Sequence, residues 1–215
     1  MDFGLILRVY PYFLEAALVT IQLSVLSIAL GLVCGALGAS ARLSRSAVLR
    51  FIGAAYVSVI RGTPALIQLF ILYFGGPQIG IQLDAFDAGV IGLGVNIGAY
   101  MTETMRGAII AVDRGQNEAS RTLGMSRWQT MRKVILPQAA RLMIRPLGVN
   151  INAQIKGTAL VAAISVVELT YTAQRYIGST YKPFEMFFLA GVIYMVIIYV
   201  TGLGISWFDR RAAIK

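Results

Sequence analysis

The sequence predicts an all-α integral membrane protein with five transmembrane helices, and three observations predict it. Hydrophobic residues make up 57% of the 215 positions and charged residues only 13%, about half the ~25% charge of an ordinary soluble domain. Mean hydropathy is +0.72. The apolar residues fall in five blocks, each near the ~20 residues that a helix needs to cross the ~30 Å hydrocarbon layer. The cations are segregated: fourteen of nineteen lie in alternate connections.

The first block runs from about Ala16 to Ala41, after a segment with one cation, Arg8. Its end, Gly38-Ala39-Ser40-Ala41, imitates a signal-peptidase site, but the apolar run is too long for a signal and no basic segment precedes it, so a retained span is expected. The second block covers about 51–75, the third 85–110, the fourth 147–167 and the fifth 187–208. The whole chain, 1–215, reads as one transmembrane domain with no room for a sizeable soluble one. Gly31 and Gly35 form a small-xxx-small pair expected to pack within the subunit.

Short Lys- and Arg-rich loops stay in the cytoplasm. Segment 42–50 holds three cations, segment 106–145 eight and the tail after Trp207 three, against only Arg8, Arg175 and Lys182 opposite. The N-terminus is therefore expected to be periplasmic and the C-terminus cytoplasmic. The net charge of +9 is a topology signal, and nucleic-acid binding drops out. With no histidine and one cysteine, Cys34, no His/Cys metal site, structural disulfide or Cys/His catalysis is expected. No G-x-x-x-x-G-K-[ST] loop is present to cradle a phosphate chain, so any ATP hydrolysis must come from a separate chain.

The cytoplasmic segment 111–146 is far longer than a bare connector. Asn117 is a suitable N-cap for a short helix Glu118 to Leu123, and Gly124 can close it in a left-handed turn. Ser126 suits the start of a second amphipathic helix carrying Trp128, Met131, Val134 and Ile135, which Pro137 is expected to stop. From spacing alone, this is either an interfacial segment binding anionic lipid heads or a docking knob for a cytoplasmic partner.

Glu118-Ala119, Gly124 and Ile135-Leu136-Pro137 resemble the "EAA" loop of membrane subunits in bacterial ATP-binding-cassette (ABC) importers. Gly115-Gln116 and Leu136-Pro137-Gln138-Ala139 resemble the polar-amino-acid branch of that family. So do Arg61-Gly62-Thr63-Pro64, Gln68-Leu69-Phe70, Tyr73-Phe74-Gly75, Ala99-Tyr100-x-x-Glu103-x-x-Arg106-Gly107, Lys156-x-Thr158-x-Leu160 and Val167-Glu168-Leu169. The departures are Ser120 in place of a second alanine, Gly157 in place of Asp, Asn or Ser, and Ala159 in place of Ser. The resemblance implies a type I ABC importer transmembrane-subunit fold in the bacterial inner membrane. It implies a second permease copy or close paralogue, two copies of a cytoplasmic ATPase subunit and a periplasmic solute-binding protein. The chain would be a non-catalytic subunit with no cofactor of its own, ATP being bound by the partner. Glu118, Ala119, Ser120, Gly124, Ile135 and Pro137 would form the ATPase-coupling surface.

A charge at mid-bilayer costs about 2.5–3.5 kcal/mol on insertion scales, and Arg61, Glu103 and Lys156 lie within spans. They are expected to pair or to line a wet cavity. Asn96, Tyr100, Glu103 and Gly107 share one helical face, and Pro64 is expected to kink span two. Gly157 beside Thr158 can loosen span four. A zwitterionic solute needs an anion for its ammonium, for which Glu103 is the natural candidate, and donors for its carboxylate, such as Lys156 or the free N–H groups near Gly157 and Thr158. Asn96, Tyr100, Thr63 and Arg61 complete the candidate substrate-binding set. A buried Arg61–Glu103 ion pair serving only packing is the competing reading. For the whole chain, the rival is an ATP-independent small channel or secondary carrier for polar solutes. A membrane enzyme lacks any nucleophile with its base.

Overall fold

The computed structural model describes residues 2–213. They are all-helical, with no strand among them. Helix α1 spans Phe3–Arg42, capped by the Asp2 side chain, which accepts from the Leu5 N–H at 3.0 Å. It thus begins thirteen residues before the expected start at Ala16. The apolar block marks membrane thickness, whereas a helix continues until its hydrogen bonds or packing fail. At ~1.5 Å per residue α1 is about 60 Å long, twice the hydrocarbon layer. Its early turns are held by Val9, Phe13 and Ala17, which pack on Leu169, Ala173 and Met186.

The second block is not one straight rod. Helix α2 (Ala47–Gly62) and helix α3 (Ala65–Phe70), extended by a wide π-helical turn, Ile71–Gly75, and a tighter 3₁₀ turn to Ile79, meet at 102°. The break falls at Thr63-Pro64: Thr63 takes the extended backbone (φ −119°, ψ 144°) that a residue before proline prefers. The expected kink is therefore a full change of direction.

Helix α4 occupies Ala85–Ile110, the limits read from the sequence, with Asp84 as its N-cap. It packs along α1 through a seam of glycines. A Cβ on Gly35 would stand 2.8 Å from the Met101 Cβ, and one on Gly98 2.6 Å from the Cys34 Cβ. The Gly31–Gly35 pair therefore does pack within the subunit.

Helices α5 (Arg114–Thr122) and α6 (Arg127–Thr130) form the loop between α4 and α7 (Leu136–Gly157). Pro137 does not stop the second loop helix, contrary to the expectation. A wide π-helical turn, Met131–Ile135, carries the chain into α7, and Pro137 stands in its first turn, where no N–H is required. The Gln138 side chain donates to the Val134 carbonyl at 2.9 Å and supports this join. At Gly157 the α-helix gives way to a tighter 3₁₀ stretch, Thr158–Ile164, so the helix changes where Gly157 was read as a weak point. Helix α8 (Leu169–Thr180) follows at a 48° bend, and α9 (Pro183–Ala213) closes the bundle. No apolar block signalled α8, a twelve-residue helix rich in Thr and Tyr.

Two helices, α1 and α9, are singly long and apolar enough to cross a membrane, and four elements are if each bent pair counts as one. The described termini lie at opposite ends of the bundle. Asp2 pairs with Lys182 at the head of α9 (2.7 Å), while Asp209 near its tail pairs with Arg145 (2.8 Å) at the loop end of α7.

Candidate functional site

The α2–α3 break is built around Gln68. Its amide donates to the carbonyls of Ile60 (2.8 Å) and Thr63 (3.1 Å) and to the Thr63 hydroxyl (2.7 Å). Its carbonyl accepts from Asn96 Nδ2 at 3.0 Å, which ties the break to α4. One side chain thus satisfies backbone groups that the broken helix releases. Arg61, in the last turn of α2, lies with its guanidinium 4.9 Å from the Tyr100 ring centroid, a cation–π contact. Arg61 and Glu103 therefore do not form the ion pair considered above. Arg61, Thr63, Asn96 and Tyr100 do gather on one side, beside an apolar groove of about 390 Å³ that includes Ile67, Gln68 and Val95.

Glu103 stands two turns from the C-terminal end of α4. One carboxylate oxygen accepts from Arg42 Nε at 3.2 Å and the other from Arg106 at 2.9 and 2.7 Å. Both oxygens are thus engaged by guanidinium groups, and the cluster joins the end of α1 to α4.

Lys156 and Thr158 lie elsewhere. Lys156 borders a cleft of about 600 Å³ shared with Ala159, Gly191, Tyr194 and Tyr199. Thr158 is fully buried, donating to the Ile155 carbonyl at 2.7 Å and meeting the Tyr194 hydroxyl at 3.3 Å. Tyr194 donates to Glu168 at 2.6 Å, and Glu168 caps α8 by accepting from the Tyr171 N–H at 2.8 Å. Six of the seven candidate residues therefore form two separate groups, and Glu103 stands apart from both. In the sequence Gln68 and Glu168 stand out only as parts of motifs. Their signal was a polar side chain immediately after a break and an acid immediately before a helix.

The α5–α6 loop projects from the bundle. Asp113, not Asn117, caps α5: its carboxylate accepts from the Gly115 N–H at 2.8 Å, and the helix starts one turn early. Gly124 adopts φ +70° and closes α5, as its residue type foretold. Ser126 caps α6 in a reciprocal capping box with Gln129. Glu118, Ala119, Gly124 and Pro137 are exposed, and so are Leu123 and Trp128. Ser120 and Ile135 point inward instead: the Ser120 hydroxyl donates to the Gln116 carbonyl at 2.7 Å, and Ile135 packs with Val112 and Ala139. The loop therefore has a pinned inner face and an open outer one. Among the described residues no cluster of His, Cys, Asp or Glu could hold a metal ion.

A helical membrane bundle with two broken elements and an exposed knob at one end fits a permease subunit, non-catalytic and driven by another chain. The protein belongs to the family of binding-protein-dependent transport system inner membrane components, which it matches over residues 10–214. It is 36% identical over 215 residues to the glutamine transport system permease protein of Escherichia coli K12, covering 99% of this chain and 98% of that one. A probable amino-acid ABC transporter permease of Bacillus subtilis 168 is 39% identical over 204 residues, covering 95% and 90%. The crystal structure of an amino acid ABC transporter with histidines matches with a TM-score of 0.92 at 36% identity, covering 98% of this chain and 99% of that one. Membership of an ABC importer family carries with it a separate ATPase and a solute-binding protein as partners.

Proposed function

We propose that this chain is the transmembrane permease subunit of an ATP-driven importer of polar amino acids delivered by a periplasmic binding protein. It crosses the bacterial inner membrane five times, through α1, the bent α2–α3, α4, α7 with its 3₁₀ continuation, and α9. The N-terminus is periplasmic and the C-terminus cytoplasmic. A dimer, with a second copy or a close paralogue, carries two ATPase subunits on its cytoplasmic side.

The observation that carries the reading is the two-faced α5–α6 loop: Ser120 is buried and Ile135 packs on Val112 and Ala139, while Glu118, Ala119, Leu123 and Gly124 stand open. A knob held rigidly from within can transmit the closure of an ATPase pair as a rotation of helices. Solute passes the side of the α2–α3 break, where Arg61, Thr63, Asn96 and Tyr100 gather, with Lys156 and Thr158 serving a second contact region by α9. Glu103 acts from its arginine cluster as the anchor of this path.

The test is reconstitution of the complex in proteoliposomes with ATPase and binding protein. Uptake of a labelled amino acid is expected to require ATP, and Glu118→Arg is expected to abolish uptake at least tenfold while the membrane subunits still assemble. Uptake by the permease alone, with no ATPase present, would overturn the assignment and make the chain a channel or secondary carrier.

A further inference from the structure

At the end of the bundle opposite the α5–α6 knob, α1 and α8 enclose a cleft of about 230 Å³, lined by Tyr12, Glu15, Val19, Thr172, Arg175 and Tyr176. Glu15 comes from α1 and Arg175 from α8, so opposite charges border one small space. They do not pair: the ion pairs among the described residues involve other groups. A third polar group joins them. Thr172 is 5% exposed, and its hydroxyl is buried with no hydrogen-bond partner. This departs from the behaviour of Thr20, Thr102 and Thr201, whose hydroxyls donate back to the carbonyl four residues earlier in their helices. A buried hydroxyl left unpaired costs free energy unless something meets it. Tyr12 and Tyr176, with ring centroids 5.7 Å apart, wall one side.

Glu15 and Arg175 are exposed at the mouth of the cleft while the unpaired Thr172 hydroxyl is buried in its wall, so a ligand that meets all three carries both charges itself. A lone cation would leave Arg175 unanswered and a lone anion would leave Glu15 so. The volume is below the ~300–1,000 Å³ of pockets for drug-sized ligands, which limits the occupant to a small molecule. We propose that this cleft is an entry subsite for a free α-amino acid, its ammonium held by Glu15 and its carboxylate by Arg175 with the Thr172 hydroxyl donating. The proposal rests on the importer reading above. A phosphatidylethanolamine headgroup carries the same pair of charges and is the alternative source.

The experiment uses the permease–ATPase complex in nanodiscs. The probe is whichever of the proteinogenic L-amino acids the wild-type complex, with its binding protein, imports with the highest kcat/KM. Equilibrium binding of that labelled amino acid is measured without the binding protein, in competition with its N-acetyl and carboxamide derivatives. Glu15→Gln and Arg175→Gln are each expected to weaken binding about tenfold, the scale of one lost charge-assisted contact. Glu15→Gln is expected to erase discrimination against the N-acetyl derivative, and Arg175→Gln that against the carboxamide. Glu15→Asp, which keeps the carboxylate, is expected to retain the first discrimination, and a general loss of folding would not produce this split. Wild-type affinity and selectivity in both neutralised variants would overturn the proposal. So would phosphatidylethanolamine that co-purifies with wild type but not with the variants while amino-acid binding is unchanged. A wild-type complex that imports no amino acid would instead overturn the importer reading, a failure seen before any variant is made.

Discussion

Glu103 illustrates what a charged residue in an apolar helix depends on. Its carboxylate is held by Arg42 and Arg106, and its side chain keeps about a fifth of its exposure. Glu103→Gln leaves two guanidinium groups facing a neutral amide. Breaking a fully buried ion pair costs about 3–5 kcal/mol, and the residual exposure here lowers the expected cost to about 1–3 kcal/mol, measurable as a fall in Tm of the purified complex. The partner Arg42 lies 61 residues away in sequence, so the cluster could not be read from spacing, whereas the i,i+3 pair with Arg106 shares one helix face. The caps were more legible. Ser126 and Gly124 perform the roles their side chains suggested, because a hydroxyl acceptor and a freely left-handed backbone are local properties. Asn117 was displaced only because Asp113 offers the same chemistry one turn earlier. At Gly124 (φ +70°) an alanine would take on a left-handed strain of about 1–2 kcal/mol. Gly124→Ala is therefore expected to speed amide exchange across 120–126.

The α1–α4 seam is the element on which the bundle rests. Gly35→Leu would drive a side chain into Met101, where even a Cβ stands at 2.8 Å. Overpacking costs about 1–3 kcal/mol, and at this backbone separation the upper end is expected, read as loss of folded protein in detergent. Gly204 is the control: nothing lies within 4 Å of its Cβ position, so Gly204→Ala is expected to leave Tm unchanged or to raise it through helix propensity. Apolar runs located α4 to the residue but misjudged α1 and α7, which continue past the blocks wherever packing or a cap sustains them. Helix α8 escaped because its apolar stripe, Leu169, Ala173, Tyr176 and Ile177, is short and interleaved with Thr, Gln and Arg, so it makes no continuous apolar block. The start of α1 is tied to the head of α9 by Asp2 and Lys182. The hydrogen bond from Lys182 holds the Asp2 carboxyl below its ordinary range, and Asp2 holds the Lys182 ammonium above its own. The carboxylate's contribution is thus present above the ordinary carboxylate range and is lost as pH falls through the lowered value. That of the ammonium is complete below the ordinary lysine range and is lost as pH rises through the raised one. The clasp is intact across neutral pH. Residues 3–8 are expected to fray in acid, and in Lys182→Met to fray already at neutrality, as amide exchange would report.

Over the whole molecule, changes of direction and close packing occupy different places. The 102° turn at Thr63-Pro64 and the 48° turn before α8 lie off the glycine seam, one leading to the Arg61–Tyr100 side and the other to the cleft between α1 and α8. Apolar length marked the all-helical, membrane-crossing character of the chain in its sequence, since it reflects the solvent. The gathering of Arg61, Thr63, Asn96 and Tyr100 around Gln68 did not show, because which faces meet depends on bends whose angles no periodicity encodes.

The glycine seam has a mechanical corollary. Two helices whose backbones touch over several turns behave as a single keel, so a stroke delivered at one end reaches the other undiminished and bending is confined to the flanking joints. Spin labels on the outward positions Leu18 and Ile91 (61% and 37% exposed) should accordingly hold one narrow separation throughout turnover, while labels straddling either joint should broaden.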